Sequence, residues 1–405
     1  MYCRASDMQK ERRLMQETIN WLSILVRWGH VIAAITWIGT SFYFNWFDLR
    51  VRPTQDPVTK ENNRGTIHEM HGGSFYYHEQ YWPDRDHPRT LAHSGPAQFT
   101  FLSGLALLAL LYWASASIYL LDASVLNVSP VTGVLISVLL LAIIWPVYYA
   151  LVRTIRSERI FSLCFAAVVL LLCFVCVHLF SARGAFIQVG AMLGTVMALS
   201  VHFVIVPNHI KMRRQIQQGQ PLDISLGERA KRVSTHNNYI TLPVILAMLS
   251  THFSAVTGSA LNWLVLFLLM SAGTLLRHWR NVQFKTDRSD HRLLLAAAAL
   301  IALGIGLTRI PSSPGSMPAG AVASSEQIHQ IVQNRCVTCH SATPSSPLFS
   351  SAPLGFRLDT LAQIEASAPL IMARAVNSKE MPPGNLTQMT DEERAQLGAW
   401  LQSHQ

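Results

Sequence analysis

Eight apolar blocks constrain this chain more than any other feature: about 19–47, 99–121, 131–153, 160–182, 185–208, 238–257, 259–280 and 292–310. Each is long enough to cross a ~30 Å hydrocarbon core as a helix. Within them the apolar residues run on without the 3.6- or 2-residue period of a half-buried element, as expected of segments solvated by lipid. Half of the 405 residues are hydrophobic and only 14% are charged, which argues against a water-soluble enzyme of this length. The expected fold class is therefore all-α, an eight-span transmembrane helical bundle over residues 19–310.

Charge supplies the orientation. The odd-numbered loops hold twenty Lys and Arg, among them Arg50, Arg52, Arg153, Arg156, Lys211, Arg229, Lys231, Arg232, Arg277 and Arg280; the even-numbered loops hold only Arg183. Basic loops stay cytoplasmic, so both ends of the bundle are expected on the opposite side of the membrane. Residues 1–18 carry Arg4, Lys10, Arg12 and Arg13 against this rule, all before Met15. They read as an N-terminal extension whose start is mis-assigned.

The chain does not end with the bundle. Residues 311–323 form a Pro/Gly/Ser linker, and beyond it lies Cys336-Val337-Thr338-Cys339-His340. The C-x-x-C-H pattern attaches a c-type haem: two thiols bond the porphyrin and the adjoining His ligates its iron. A thioether is the usual second ligand where a high potential is wanted, and Met381, stiffened by Pro382 and Pro383, is the candidate, with Met372 and Met389 as competitors. Helices are predicted over 326–335 and 361–376, and a capping box at Thr390–Glu393 opens a third. Residues 324–405 resemble a small class I cytochrome c domain, an electron carrier. Cys164, Cys173 and Cys176 sit within one apolar span and read as packing residues.

Ionisable residues inside spans are costly and mark function. Arg27, His30 and Trp37 lie along one face of the first span. His30 is a candidate ligand of a b-type haem in the membrane, with His252 as its preferred partner, His178 close behind at similar depth, and Arg27 pairing with a propionate. In the loop after the first span, His68-Glu69-Met70-His71-Gly72-Gly73 precedes an aromatic run. His71, with Glu69 or His236 beside it, is the candidate general base, and Gly72 and Gly73 let backbone approach a ligand. A metal site of His68, His71 and His78 is less favoured, since no carboxylate or Cys set completes it. Ser234-Thr235-His236-Asn237-Asn238 reads as a polar cluster in which Asn237 and Asn238 orient a heterocycle. It also reads as the N-cap of the sixth span.

At this point the chain resembles the bacterial membrane-bound urate oxidases of the PuuD type, which carry a cytochrome c tail. The resemblance rests on Arg27-Trp28-Gly29-His30 through Trp37-Ile38-Gly39, on His71-Gly72-Gly73-Ser74-Phe75-Tyr76, and on Leu120-Leu121-Asp122. It continues through Gly190-Ala191-Met192-Leu193-Gly194, Val206-Pro207-Asn208 and Ser234-Thr235-His236-Asn237-Asn238. It implies oxidation of urate to 5-hydroxyisourate in purine catabolism. Electrons would leave through the covalent haem c to a respiratory acceptor such as a terminal oxidase. At 94–98 the chain reads Ser-Gly-Pro-Ala-Gln where the family has an aromatic-Glu-small-Tyr sequence. The alternatives are an oxidase of a quinol or porphyrinogen on the same scaffold, or a copper-type transporter with a redox tail. Met192, Met197 and Met248 are too few to favour the transporter.

Overall fold

A computed structural model describes residues 2–54, 62–83, 94–250, 253–310, 323–346, 349 and 351–404, with side chains from Glu17 onward. The chain is mostly helical. α1 (Tyr2–Arg50) leads into a hairpin of β1 (Asn63–His71) and β2 (Ser74–Tyr81), and then into α2 (Gly95–Leu107). α3 (Pro130–Thr154), α4 (Glu158–Leu179), α5 (Ala182–Ser200) and α6 (Val206–Gln217) follow. The bundle closes with α7 (Ile224–Ser250), the short α8 (Ser254–Thr257), α9 (Asn262–Thr286) and α10 (His291–Thr308).

Among the described residues, six stretches are long and apolar enough to cross a membrane: Glu17–Arg50, Gly95–Trp113, Pro130–Thr154, Glu158–Leu179, Ala182–Gln217 and His291–Thr308. The remaining two predicted spans form α7 and α9, which fall outside this set. α7 is polar up to Asn238 and turns apolar only beyond it, and Arg277, His278 and Arg280 end the apolar run of α9. These two helices pack on each other, α7 also on α5 and α9 also on α4 and α10. Their polar residues thus find protein partners. α5 is the most enclosed span: Ala185, Phe186, Val189 and Val196 are fully buried, and it packs against α3, α4 and α7. A polar staple crosses this core, with Trp113 Nε1 donating to Ser137 Oγ (3.0 Å) and Ser137 Oγ to Gln188 Oε1 (2.7 Å). Cys173 and Cys176 are buried free thiols in the same core.

Two expectations need correction. The segment 63–81 is a β-hairpin, so the chain is not purely helical. Gly72 and Gly73, at φ 58° and 80°, make its two-residue turn, a geometry that favours glycine at both positions. The N-cap expected near Ser234 is absent, because α7 begins at Ile224 and carries residues 234–238 through its middle. The polar turn lies inside a helix that an amphipathic segment had already started.

After residues 311–322, which lie outside the described set, a C-terminal unit is built from α11 (Ser325–Arg335), α12 (Leu361–Ala366), α13 (Ala368–Ile371) and α14 (Asp391–Ser403). α11, α12 and α14 all open on capping boxes, at Ser324/Gln327, Thr360/Gln363 and Thr390/Glu393. Its core gathers Ile328, Val332, Ile364, Leu397, Trp400 and Leu401. The unit rests on the bundle end opposite the hairpin. There Thr257 Oγ1 donates to Glu380 Oε1 (2.7 Å), and Gly384 lies against the carbonyls of Ser117 and Leu121.

Candidate functional site

Successive residues on a helix point about 100° apart, so His236, Asn237 and Asn238 face three different neighbours from one turn of α7. Asn238 faces α9. Its Oδ1 accepts from Arg277 Nε (2.7 Å) and from Asn281 Nδ2 (3.0 Å). Asn281 Oδ1 in turn accepts from Asn45 Nδ2 of α1 at 3.0 Å. The Arg277 guanidinium carbon stands 3.8 Å from the centre of the Phe42 ring, a cation–π contact. Arg277 and Asn238 are only 6% and 1% exposed, yet Arg277 Nη2 and Asn238 Nδ2 have no partner among the described residues. Leaving such donors buried and unpaired costs about 1–3 kcal/mol each. Two buried orphan donors on adjoining residues, one of them stacked on an aromatic ring, suit a ligand bearing carbonyl or anionic oxygen.

Asn237 faces α5. Its Nδ2 donates to the Met197 carbonyl (3.0 Å), while its buried Oδ1 has no partner among the described residues. His236 faces α3 and α4. Its Nδ1 lies 2.9 Å from Tyr148 Oη and its Nε2 2.9 Å from Glu158 Oε2. The Phe161 ring stacks on the imidazole with centroids 4.2 Å apart. Arg232 Nε holds the other Glu158 oxygen at 2.6 Å.

The hairpin lies close to this cluster along the chain. Asp48, one turn of α1 beyond Asn45, accepts from Gln80 Nε2 (2.7 Å) and pairs with Lys231 Nζ (3.3 Å). His71 sits exposed at the hairpin end, next to the turn made by Gly72 and Gly73. Glu69 accepts from Tyr43 Oη (2.7 Å) and lies 3.1 Å from His78 Nε2, on the α1 side of the hairpin. Strand geometry sends residues 69 and 71 to one face, but the hydrogen bonds of Glu69 go to Tyr43 and His78. Those of His236 go to the other flank of the bundle. His68 packs on Tyr77, and among the described residues no group of three or more His, Cys, Asp or Glu is placed to hold a metal ion.

His30 is half-buried against α2, where its Nδ1 lies 3.0 Å from Ser103 Oγ. That hydroxyl gives its own hydrogen to the Phe99 carbonyl (2.6 Å). His30 Nδ1 is therefore the donor, and the lone pair stays on Nε2, the state a metal needs. Arg27 is exposed on α1, and Trp37 packs on the core. His178 is exposed on α4 with Nδ1 bonded to the Phe174 carbonyl (2.7 Å). His252 lies outside the described residues. His30 thus engages α2 and His178 its own helix, while the preferred pairing of His30 with His252 falls outside the described residues.

In the C-terminal unit the residues fit a c-type haem. Cys336 and Cys339 are free thiols at the end of α11. His340 Nδ1 donates to the Phe356 carbonyl (3.0 Å), again leaving Nε2 for iron. Desolvation pushes the Cys336 thiol up to about 12, although part of the residue remains accessible. Cys336, Val337, Phe356, Leu361, Met372, Val376 and Met381 line the partly buried margin of the core, an apolar rim suited to a porphyrin. Met389 is enclosed in the core at 2% exposure. Arg394, whose pKa burial lowers, donates to the carbonyls of Ala375 and Met381 and so laces the Met381 loop to the unit.

Sequence reasoning passed over Arg277, Asn281, Asn45 and Phe42, and also Tyr148, Glu158 and Arg394. Arg277 was legible: it falls inside the predicted span 259–280 but was counted as a loop charge. Tyr148 and Glu158 carry no local signal. In comparisons with known proteins, the model of the family described as urate oxidase N-terminal matches residues 16–308. No curated protein and no solved structure matches the chain.

Proposed function

The chain belongs to the urate oxidase N-terminal family, and on that premise we propose that it oxidises urate inside the membrane and passes the electrons to a haem c on its C-terminal unit. The balanced change is urate plus water to 5-hydroxyisourate, with two protons and two electrons released. One observation supports this reading above the rest: the orphan donors Arg277 Nη2 and Asn238 Nδ2 in the interior of the bundle. Urate at neutral pH is a planar monoanion edged by carbonyls. Arg277 neutralises it through charge-assisted hydrogen bonds, Asn238 fixes its orientation, and Phe42 supplies a flat wall beside the guanidinium. The hairpin over this end of the bundle bounds the entry route, with His71 and Glu69 at its surface.

A haem held by Cys336, Cys339 and His340 supplies a one-electron acceptor. Met381 is its candidate second ligand, and Arg394 holds the Met381 loop in place. Phe42 lies twelve residues along α1 from His30, about 18 Å of helix rise. His30 therefore stands between the polar cluster and the C-terminal unit. In this reading the protein spans a bacterial inner membrane eight times with its tail in the periplasm, and a respiratory oxidase accepts its electrons.

The test is anaerobic addition of urate to isolated membranes while the reduced haem c band is followed. Reduction by urate that is lost in Arg277→Gln is the expected result. Reduction by a quinol or a porphyrinogen, with no response to urate, would replace the substrate assignment with the alternative oxidase.

A further inference from the structure

The oxidation proposed above releases two protons into a buried site, and the fold contains a hydrogen-bonded chain that leads out of one. We propose that Tyr148, His236 and Glu158 form a proton exit from the interior of the bundle to solvent; this rests on the oxidase reading. Tyr148 is 1% exposed and His236 7%, whereas the Glu158 side chain is 56% exposed. The three groups thus step from core to surface through two contacts of 2.9 Å each.

The chain has a direction. A carboxylate only accepts, so His236 Nε2 carries the hydrogen given to Glu158. Nδ1 then holds a lone pair, and the Tyr148 hydroxyl is the donor to it. Every hydrogen therefore points outward. A proton arriving at Tyr148 moves on as the hydroxyl hydrogen passes to Nδ1, the Nε2 hydrogen passes to Glu158 Oε2, and Glu158 gives it to water. No electron moves and one proton crosses per event, which leaves the ring hydrogen on Nδ1 until the imidazole retautomerises. Phe161, stacked on the ring, and Arg232, bonded to Glu158 and to the carbonyls of Val152 (2.8 Å) and Ile155 (2.6 Å), hold the imidazole and carboxylate in register.

The inner end lies where a reaction can reach it. Asn237, next to His236 on α7, presents a buried Oδ1 with no partner among the described residues, and the Ser200 hydroxyl interacts with that of Tyr148. A water or a substrate nitrogen bridging these atoms would hand protons to Tyr148. Asn238 and Arg277 hold the proposed substrate from the adjoining face of the same helical turn.

Two measurements on the full chain test this. In urate-driven haem reduction, His236→Gln keeps an amide between its neighbours but cannot shuttle a proton. Its rate should fall about 10²-fold with the half-saturating urate concentration unchanged. Glu158→Gln should be slowed too, and its rate should rise with added imidazole buffer, which a merely structural loss would not do. The second measurement needs no substrate: deuterium exchange at the Tyr148 hydroxyl, followed by infrared spectroscopy with the band assigned by Tyr148→Phe. Rapid exchange in the wild type should be lost in His236→Gln and Glu158→Gln. Unchanged exchange in both would overturn the relay whatever the substrate is. Lost exchange in the variants, with no reduction by urate in the wild type, would uphold the relay and reject the urate assignment instead.

Discussion

Asn238 gives its single carbonyl oxygen to two donors, Arg277 Nε and Asn281 Nδ2. Removing that oxygen strands both, so Asn238→Leu should cost about 1–3 kcal/mol per stranded group and lower the thermal midpoint in detergent. Asn238→Asp keeps the oxygen and adds a charge that pairs with Arg277. It should hold the midpoint well above that of the leucine variant while abolishing the urate response, because the guanidinium is neutralised before the anion arrives. Recovery of both stability and urate-driven reduction in the aspartate variant would show that Arg277 does not bind the substrate. The signal for Arg277 was present in the sequence, since an Arg within an apolar run is expensive in lipid. Asn45 and Asn281 carried no such signal, because a lone Asn near a helix end has a bland reading.

Among the elements, the loop 381–385 joins the C-terminal unit to the bundle. Gly384 has φ 58°, and a Cβ there would run into the Ser117 carbonyl. Gly384→Val should therefore detach the unit from the bundle while leaving haem attachment intact, since the thiols lie elsewhere. The readout is faster proteolysis in residues 311–323 with full haem staining; unchanged proteolysis would mean that this contact does not hold the unit. Element boundaries followed from the sequence where a local rule sets them. The capping box at Thr390 and the helix ending at Arg335 are both observed. The hairpin was missed because its histidines and aromatics drew a chemical reading, although Gly72-Gly73 between alternating residues is itself a hairpin signal. α2 gives way to π-helical turns at Leu108–Trp113 and Ala116–Leu120, which no periodicity announces.

For the whole molecule, the described basic residues of the odd loops, among them Arg50, Arg52, Lys231 and Arg232, gather at one end of the bundle and the C-terminal unit sits at the other. The positive-inside rule then predicts opposite sides for Gln218 and His404. A cysteine placed at His404 should react with an impermeant maleimide in spheroplasts, and one at Gln218 only after lysis. The reverse pattern would invert the topology and leave the C-x-x-C-H motif on the face opposite to haem attachment.

The sequence by itself determined what depends on neighbours along the chain. Continuous apolar runs require helices in lipid, and the capping boxes at Ser324, Thr360 and Thr390 open their helices through residues only three positions apart. The tertiary structure decided what depends on groups far apart. Arg277 meets Asn238 and Phe42 only because α9 packs against both α7 and α1, and His236 meets Tyr148 and Glu158 only because α7 also borders α3 and α4. A helix turns about 100° per residue, so three adjacent polar residues of α7 serve three different surroundings. Which surroundings those are is fixed by side-chain packing among helices from 39 to 236 residues apart in sequence, and no local pattern records it.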